Sequence, residues 1–200
     1  MVDRPQASLV PTFATHYYRA DREPFLNLSD LSEAEAARVI AGLDARRRDG
    51  HQRVFGRRYM ELRRLTEARL RELFVAAGGI AERSAPHYFV LGASAWYRGL
   101  SPDTREVRVE LSQLPAGAAG FTYPDSFTAM GFAPRFGLPY EARPYHERVY
   151  RLHELAEVVA EHGMPADETG ADYDGYQHRP FEKYIEIQLW SDTPLELLAD

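Results

Sequence analysis

Lys183-Tyr184-Ile185-Glu186-Ile187-Gln188-Leu189-Trp190 alternates residue by residue, with Ile185, Ile187 and Leu189 on one side and Tyr184, Glu186, Gln188 and Trp190 on the other. Period two is the signature of a strand with one apolar face. The same alternation recurs in Glu106-Val107-Arg108-Val109-Glu110-Leu111. The aromatic and β-branched content of Phe13-Ala14-Thr15-His16-Tyr17-Tyr18-Arg19 and of His87-Tyr88-Phe89-Val90-Leu91-Gly92 also reads as strand. Phe121-Thr122-Tyr123 and Arg148-Val149-Tyr150-Arg151-Leu152 are shorter candidates. Between the first strand and the rest the period changes to three and four. Ser32-Glu33-Ala34-Glu35 has capping-box spacing and opens a helix over about 33–47. Phe55, Tyr59, Leu62, Leu65, Leu70, Leu73, Phe74 and Ala77 mark a longer helix with one buried stripe, stopped by Gly78-Gly79. A further helix is expected at about 153–162, and residues 131–145, rich in Pro and Gly, read as an irregular loop. Helices followed mainly by strands define an α+β class: N-terminal helices packed on a mostly antiparallel, twisted sheet, with residues 1–200 as one domain.

Composition sets the outer limits. The chain has 200 residues, 44% of them hydrophobic, which is enough for a packed core. No apolar run is long enough for a membrane span and no secretory leader pattern opens the chain, so a cytoplasmic protein with no membrane partner is expected. The absence of cysteine excludes disulfides, thiolate chemistry and cysteine-ligated metals. The net charge of −6 hides a division, since residues 46–71 carry ten Arg against three acids while residues 99–200 carry eight basic and eighteen acidic side chains. On the long helix Arg57, Arg64 and Arg71 repeat every seven residues, a stripe that would follow a phosphate backbone or face solvent. That gives one functional class, a non-catalytic nucleotide- or RNA-binding module. His146, His153, His162 and His178 cluster amid carboxylates but form no zinc spacing, so no metal is expected. Walker loops, dinucleotide glycine fingerprints and the Gly-x-Ser-x-Gly turn are missing.

The polar side of Tyr184–Trp190 offers a carboxylate and an amide two residues apart between two aromatics, as a strand lining a cleft would; it also reads as the solvated face of a sheet. Tyr184-Ile185-Glu186-Ile187-Gln188-Leu189-Trp190 resembles the closing glutamate strand of bacterial ADP-ribosyltransferase-like toxins. Phe121-Thr122-Tyr123-Pro124-Asp125-Ser126-Phe127 resembles their mid-chain aromatic and serine segment, and Thr15-His16-Tyr17-Tyr18 their first strand. The resemblance implies an enzyme that takes NAD as substrate and transfers ADP-ribose to a protein or nucleic-acid acceptor. It implies Glu186 and His16 as catalytic residues, with Tyr18, Tyr123, Ser126 and Gln188 facing the dinucleotide. Members that modify arginine carry Glu or Gln two residues before the catalytic Glu; here Tyr184 stands there, so arginine is not the implied acceptor. The chemistry suits the residue types, because breaking the nicotinamide–ribose bond develops positive charge that a fixed carboxylate favours in the transition state. A His on the first strand would bond a ribose hydroxyl, and Tyr18 or Tyr123 would stack on the nicotinamide.

Overall fold

The computed structural model describes residues 10–166, 173–178 and 181–193. Within them six strands form one antiparallel sheet: β1 (Phe13–Arg19), β2 (His87–Leu91), β3 (Thr104–Glu110), β4 (Ala119–Thr122), β5 (Tyr150–Arg151) and β6 (Glu186–Leu189), in the order β3-β1-β2-β6-β4-β5. The helices are α1 (Glu33–Ala45), α2 (Tyr59–Ala76), α3 (Ala95–Arg98), α4 (Ser126–Ala129) and α5 (Leu155–His162). The fold is α+β. The Ser32 hydroxyl accepts from the Glu35 amide and the Glu35 carboxylate accepts from the Ser32 amide, so α1 starts on the capping box its sequence spells.

Register assigns the two faces of the sheet. Phe89 pairs with Ile187 and Ile187 with Phe121, so these side chains share a face, where they pack with Leu155, Val158 and Val159 of α5. On the opposite face Val90 and Thr122 flank Glu186, while Tyr88 and Gly120 flank Gln188. That face lies under α2: Phe74 stacks on Trp190 with ring centroids 5.5 Å apart, and Leu70 joins them. Gly120 is what lets Phe74 come so close, because a Cβ there would stand 2.9 Å from the Tyr150 carbonyl oxygen and 3.0 Å from the Phe74 ring. The solvated-face reading of β6 is therefore corrected. Glu186, Gln188 and Trp190 are all buried, since helices cover both sides of the strand.

The long helix is shorter than its apolar spacing, beginning at Tyr59, so Arg57 lies outside it. Its buried side holds Leu62, Leu70 and Phe74 together with Arg63, Thr66 and Glu67, whereas Ala77 is exposed. A polar network runs through the packed face. Arg63 donates to the Glu67 carboxylate at 3.0 Å, to Asn27 Oδ1 at 2.8 Å and to the Tyr59 hydroxyl at 3.0 Å.

One opening in the sheet decides where a site can form. β1 pairs with β3 along its whole length, but with β2 only at Ala14–Leu91 and Thr15–Val90. Beyond Thr15 the two strands part. His16 Nδ1 bridges the gap to the Tyr88 carbonyl oxygen at 2.9 Å.

Candidate functional site

The parted strands open into a cavity of about 280 Å³ lined by Thr15, His16 and Tyr18 of β1, Tyr88 of β2, Tyr184 and Glu186. Thr15 pairs with Val90 and so shares the sheet face of Glu186, whereas His16 and Tyr18 alternate onto the opposite face, where the His16 ring lies 5.6 Å from that of Phe89, and β2 stands between β1 and β6. A second cavity of about 770 Å³ adjoins it, and Arg53, Tyr97, Leu100, Phe127 and Tyr184 line both. Together they span the size range of small-molecule sites.

Glu186 is the buried acid of the smaller cavity, with 7% of its surface exposed. Its carboxylate accepts a hydrogen bond from the Ser126 hydroxyl and one of 3.1 Å from Gln188 Nε2. Gln188 Nε2 also donates to Thr122 Oγ1 at 2.9 Å, and Thr122 Oγ1 donates to the Pro124 carbonyl at 3.2 Å. This chain of bonds fixes the carboxylate from behind. Burial raises the acid to about 7 from an ordinary 4.5, and the neighbouring Asp125 carboxylate pushes the same way against the hydrogen bonds of Ser126 and Gln188. Asp125 is raised as well, by burial, although it caps α4 by accepting from the Thr128 amide at 3.2 Å and hydroxyl at 2.7 Å. Ser126 is the first residue of α4, so one short helix positions both groups around Glu186.

His16 lines the same cavity, but its nitrogens are spent. Nδ1–H donates to the Tyr88 carbonyl, and Nε2 accepts the Phe25 amide at 3.1 Å. No nitrogen is left for a ribose hydroxyl, and the bonding role expected of His16 gives way to a positioning one. Phe25 has φ +65°, a conformation its side chain disfavours, and packs its ring on His16 at 4.7 Å. The histidine thus holds the loop after β1 in place. Burial lowers the His16 pKa to about 4, with the Tyr88 carbonyl opposing and His87 assisting. With the folded value depressed below the ordinary 6.5, His16 adds nothing unfavourable above that pH, and stability falls as pH drops from 6.5 towards 4. His16→Asn should weaken that acid-side loss by about 3 kcal/mol at pH 4, read from urea unfolding of both proteins across this range. An unchanged difference between the two at pH 4 and pH 8 would contradict it.

The other expected residues divide. Tyr18 borders the cavity and lies nearly parallel to His16, centroids 6.3 Å apart. Ser126 and Gln188 converge on Glu186, as supports of the carboxylate. Tyr123 does not join them, which corrects the stacking role given to it. Its ring packs against Tyr145 at 4.6 Å in the core with α5, and its hydroxyl donates to the His162 carbonyl at 3.1 Å. The arginine stripe is also corrected. Arg57 precedes α2, Arg64 is held by Glu33 of α1 at 2.8 Å, and Arg71 donates to the Ala81 carbonyl at 3.4 Å. Among the described residues no group of three or more His, Asp or Glu side chains is placed to hold a metal ion, and no helix is long and apolar enough to cross a membrane.

Sequence reasoning missed Tyr88, Tyr97, Asp125 and Arg53. Asp125 was within reach, being adjacent to Ser126 in the segment already singled out. Arg53 carried no distinguishing signal as one of the ten arginines in residues 46–71.

No protein-family model matches the chain, and neither a curated protein nor a solved structure gives a significant match.

Proposed function

We propose that the chain is an ADP-ribosyltransferase-like enzyme that binds NAD, splits its nicotinamide–ribose bond and passes ADP-ribose to an acceptor. The observation that carries this reading is Glu186: a carboxylate fixed by Ser126 and Gln188 in the wall of an aromatic-lined cavity, at the place where β1 and β2 separate. In the reaction the bond between the ribose anomeric carbon and the nicotinamide nitrogen breaks, and its electron pair leaves with neutral nicotinamide. The anomeric carbon becomes electron-poor until the acceptor's nucleophilic atom bonds to it and loses a proton. A carboxylate held beside that carbon gains attraction only as the positive charge spreads onto the sugar, which is the differential stabilisation catalysis needs. Because Glu186 is pre-positioned by hydrogen bonds from behind, little reorganisation accompanies that step. Tyr184, whose ring packs 5.6 Å from that of Tyr97, lines the cavity together with Glu186 and offers a ring face to a flat heterocycle.

Binding and turnover test the reading separately. NAD at a hundred times its dissociation constant should raise the melting temperature by about 5–10 °C, following from roughly 2.7 kcal/mol of linkage in a chain of this size. Chromatography should detect free nicotinamide with water, a polynucleotide or a protein mixture as acceptor. Neither a thermal shift nor nicotinamide release from the wild-type protein would sink the proposal.

A further inference from the structure

Two arginines stand on either side of the Tyr59 hydroxyl, and their surroundings differ in one respect. Arg63 has a carboxylate, Glu67, at 3.0 Å. Arg53 makes no ion pair with any described carboxylate. Its guanidinium donates to the Tyr59 hydroxyl at 3.2 Å and to the Tyr97 hydroxyl at 3.4 Å, and lies 5.4 Å from the centre of the Phe55 ring. Phenol oxygens and a ring face solvate a cation, but they supply no countercharge, and a charge withdrawn from water is costly until one arrives. The side chain lines both cavities.

Tyr59 adds a second observation. Its oxygen accepts from Arg63 Nη1 at 3.0 Å and from Arg53 Nη2 at 3.2 Å, so both lone pairs are taken and its own O–H is left as a donor. Burial alone would raise this phenol, yet Arg53 and then Arg63 outweigh it and hold it below its ordinary value, which makes that O–H a stronger donor. A planar cationic fork and an acidified hydroxyl beside it match the oxygens of a phosphate group.

We infer that Arg53 and Tyr59 form a phosphate subsite in the wall of the larger cavity, which both line, with Arg53 also bordering the smaller one, and that it takes the phosphate or pyrophosphate of a ligand. The inference is compatible with NAD, but requires only a phosphorylated ligand. The subsite holds its ligand through charge and geometry and takes no part in bond cleavage. Arg53 and Tyr184 line both cavities, and Tyr184 stands two residues before Glu186, just ahead of β6, so the phosphate subsite and the carboxylate border the smaller cavity together.

Calorimetric titration of magnesium-free inorganic pyrophosphate and of ADP into four proteins decides the matter. Wild type should bind both; Arg53→Gln should bind each at least tenfold more weakly; Arg53→Lys, which keeps the charge and loses the fork, should fall between; Tyr59→Phe should weaken both several-fold. Without ligand, Arg53→Gln should melt at or above the wild-type temperature, since it removes a half-buried cation that lacks a countercharge among the described residues. Absence of binding to wild type, or equal binding by wild type, Arg53→Gln and Arg53→Lys, would overturn the subsite. If Arg53→Gln does not fold, Arg53→Lys carries the comparison, and pyrophosphate affinity unchanged by it overturns the inference. Arg53-dependent pyrophosphate binding without nicotinamide release would remove the NAD reading alone. Nicotinamide release with pyrophosphate and ADP affinities all indifferent to Arg53 would remove the subsite alone.

Discussion

Glu186→Gln is expected to lower nicotinamide release by about 10²–10³-fold, the loss typical when one pre-positioned electrostatic group is withdrawn from a transition state. The same substitution should make the protein more stable at pH 8. The folded acid has its pKa at about 7, above the ordinary 4.5, so its contribution to stability is fully present below 4.5 and is lost as pH rises to 7. Wild type at pH 8 has lost it, while a neutral amide never carries the charge and still accepts from Gln188. The gain should approach 3 kcal/mol, roughly, and vanish below pH 4.5. Wild-type turnover should climb as pH rises through about 7, tracking ionisation of Glu186, and then level off. Steady-state nicotinamide release measured from pH 5 to 9, beside melting curves of both proteins, checks all three statements. An amide variant that keeps activity within threefold, or that melts below wild type at pH 8, would remove Glu186 from the role given to it. Wild type itself should show a muted pH response between 4.5 and 6.5, because Glu186 loses stability over the range in which His16 gains it. The amide variant therefore exposes the rise due to His16.

Periodicity reported faithfully which residues share a side and was silent on what covers that side. The first strand spans Phe13–Arg19, as its aromatic and β-branched content indicates, and α1 begins where the capping box puts it. The alternation of Glu186 and Gln188 is real, and yet both are buried, because α2 and α4 come to that face from positions over fifty residues away in the chain, while Tyr184, two residues ahead of β6, is half-buried. Tyr123 shows the converse. The two-residue period from Phe121 already placed it on the core side, opposite Thr122 and Glu186, and the resemblance of the segment drew attention to its chemistry instead. His16 lies where β1 and β2 part, and a strand's divergence from its neighbour depends on register that no local pattern carries. The cleft was legible as a carboxylate and an aromatic on one strand. The subsite at Arg53 was not, since it needs a loop, a helix and α3 brought together.

Glu67→Gln should destabilise the protein by about 3–5 kcal/mol, the cost of leaving a buried ion without its partner. Arg63 and Glu67 have the four-residue spacing of an ordinary exposed helix pair, and were that all, their contact would contribute a few tenths of a kcal/mol, roughly. The fold puts both under the sheet, 8% and 4% exposed. Glu67 Oε1 accepts from Arg63 Nε at 3.0 Å, from the Ser29 hydroxyl at 2.8 Å and from the Tyr88 hydroxyl at 3.0 Å, so one oxygen ties α2 to the loop before α1 and to β2. Asn27, which accepts from Arg63, reaches on to the Pro86 carbonyl at 2.9 Å. An amide in place of the carboxylate keeps the shape and removes the one negative charge paired with Arg63 among the described residues. The melting temperature should fall by on the order of 10 °C. Replacing both residues, Arg63→Met with Glu67→Leu, should recover much of the loss, since a buried pair exchanged for apolar groups avoids desolvation altogether. A double-mutant cycle from urea unfolding measures the coupling, and a value under about 1 kcal/mol would mean that the pair behaves as an exposed one. Tyr88 borders the cavity that holds Glu186, so the same weakening should loosen that part of its lining and lower NAD affinity more than it lowers the rate at saturation.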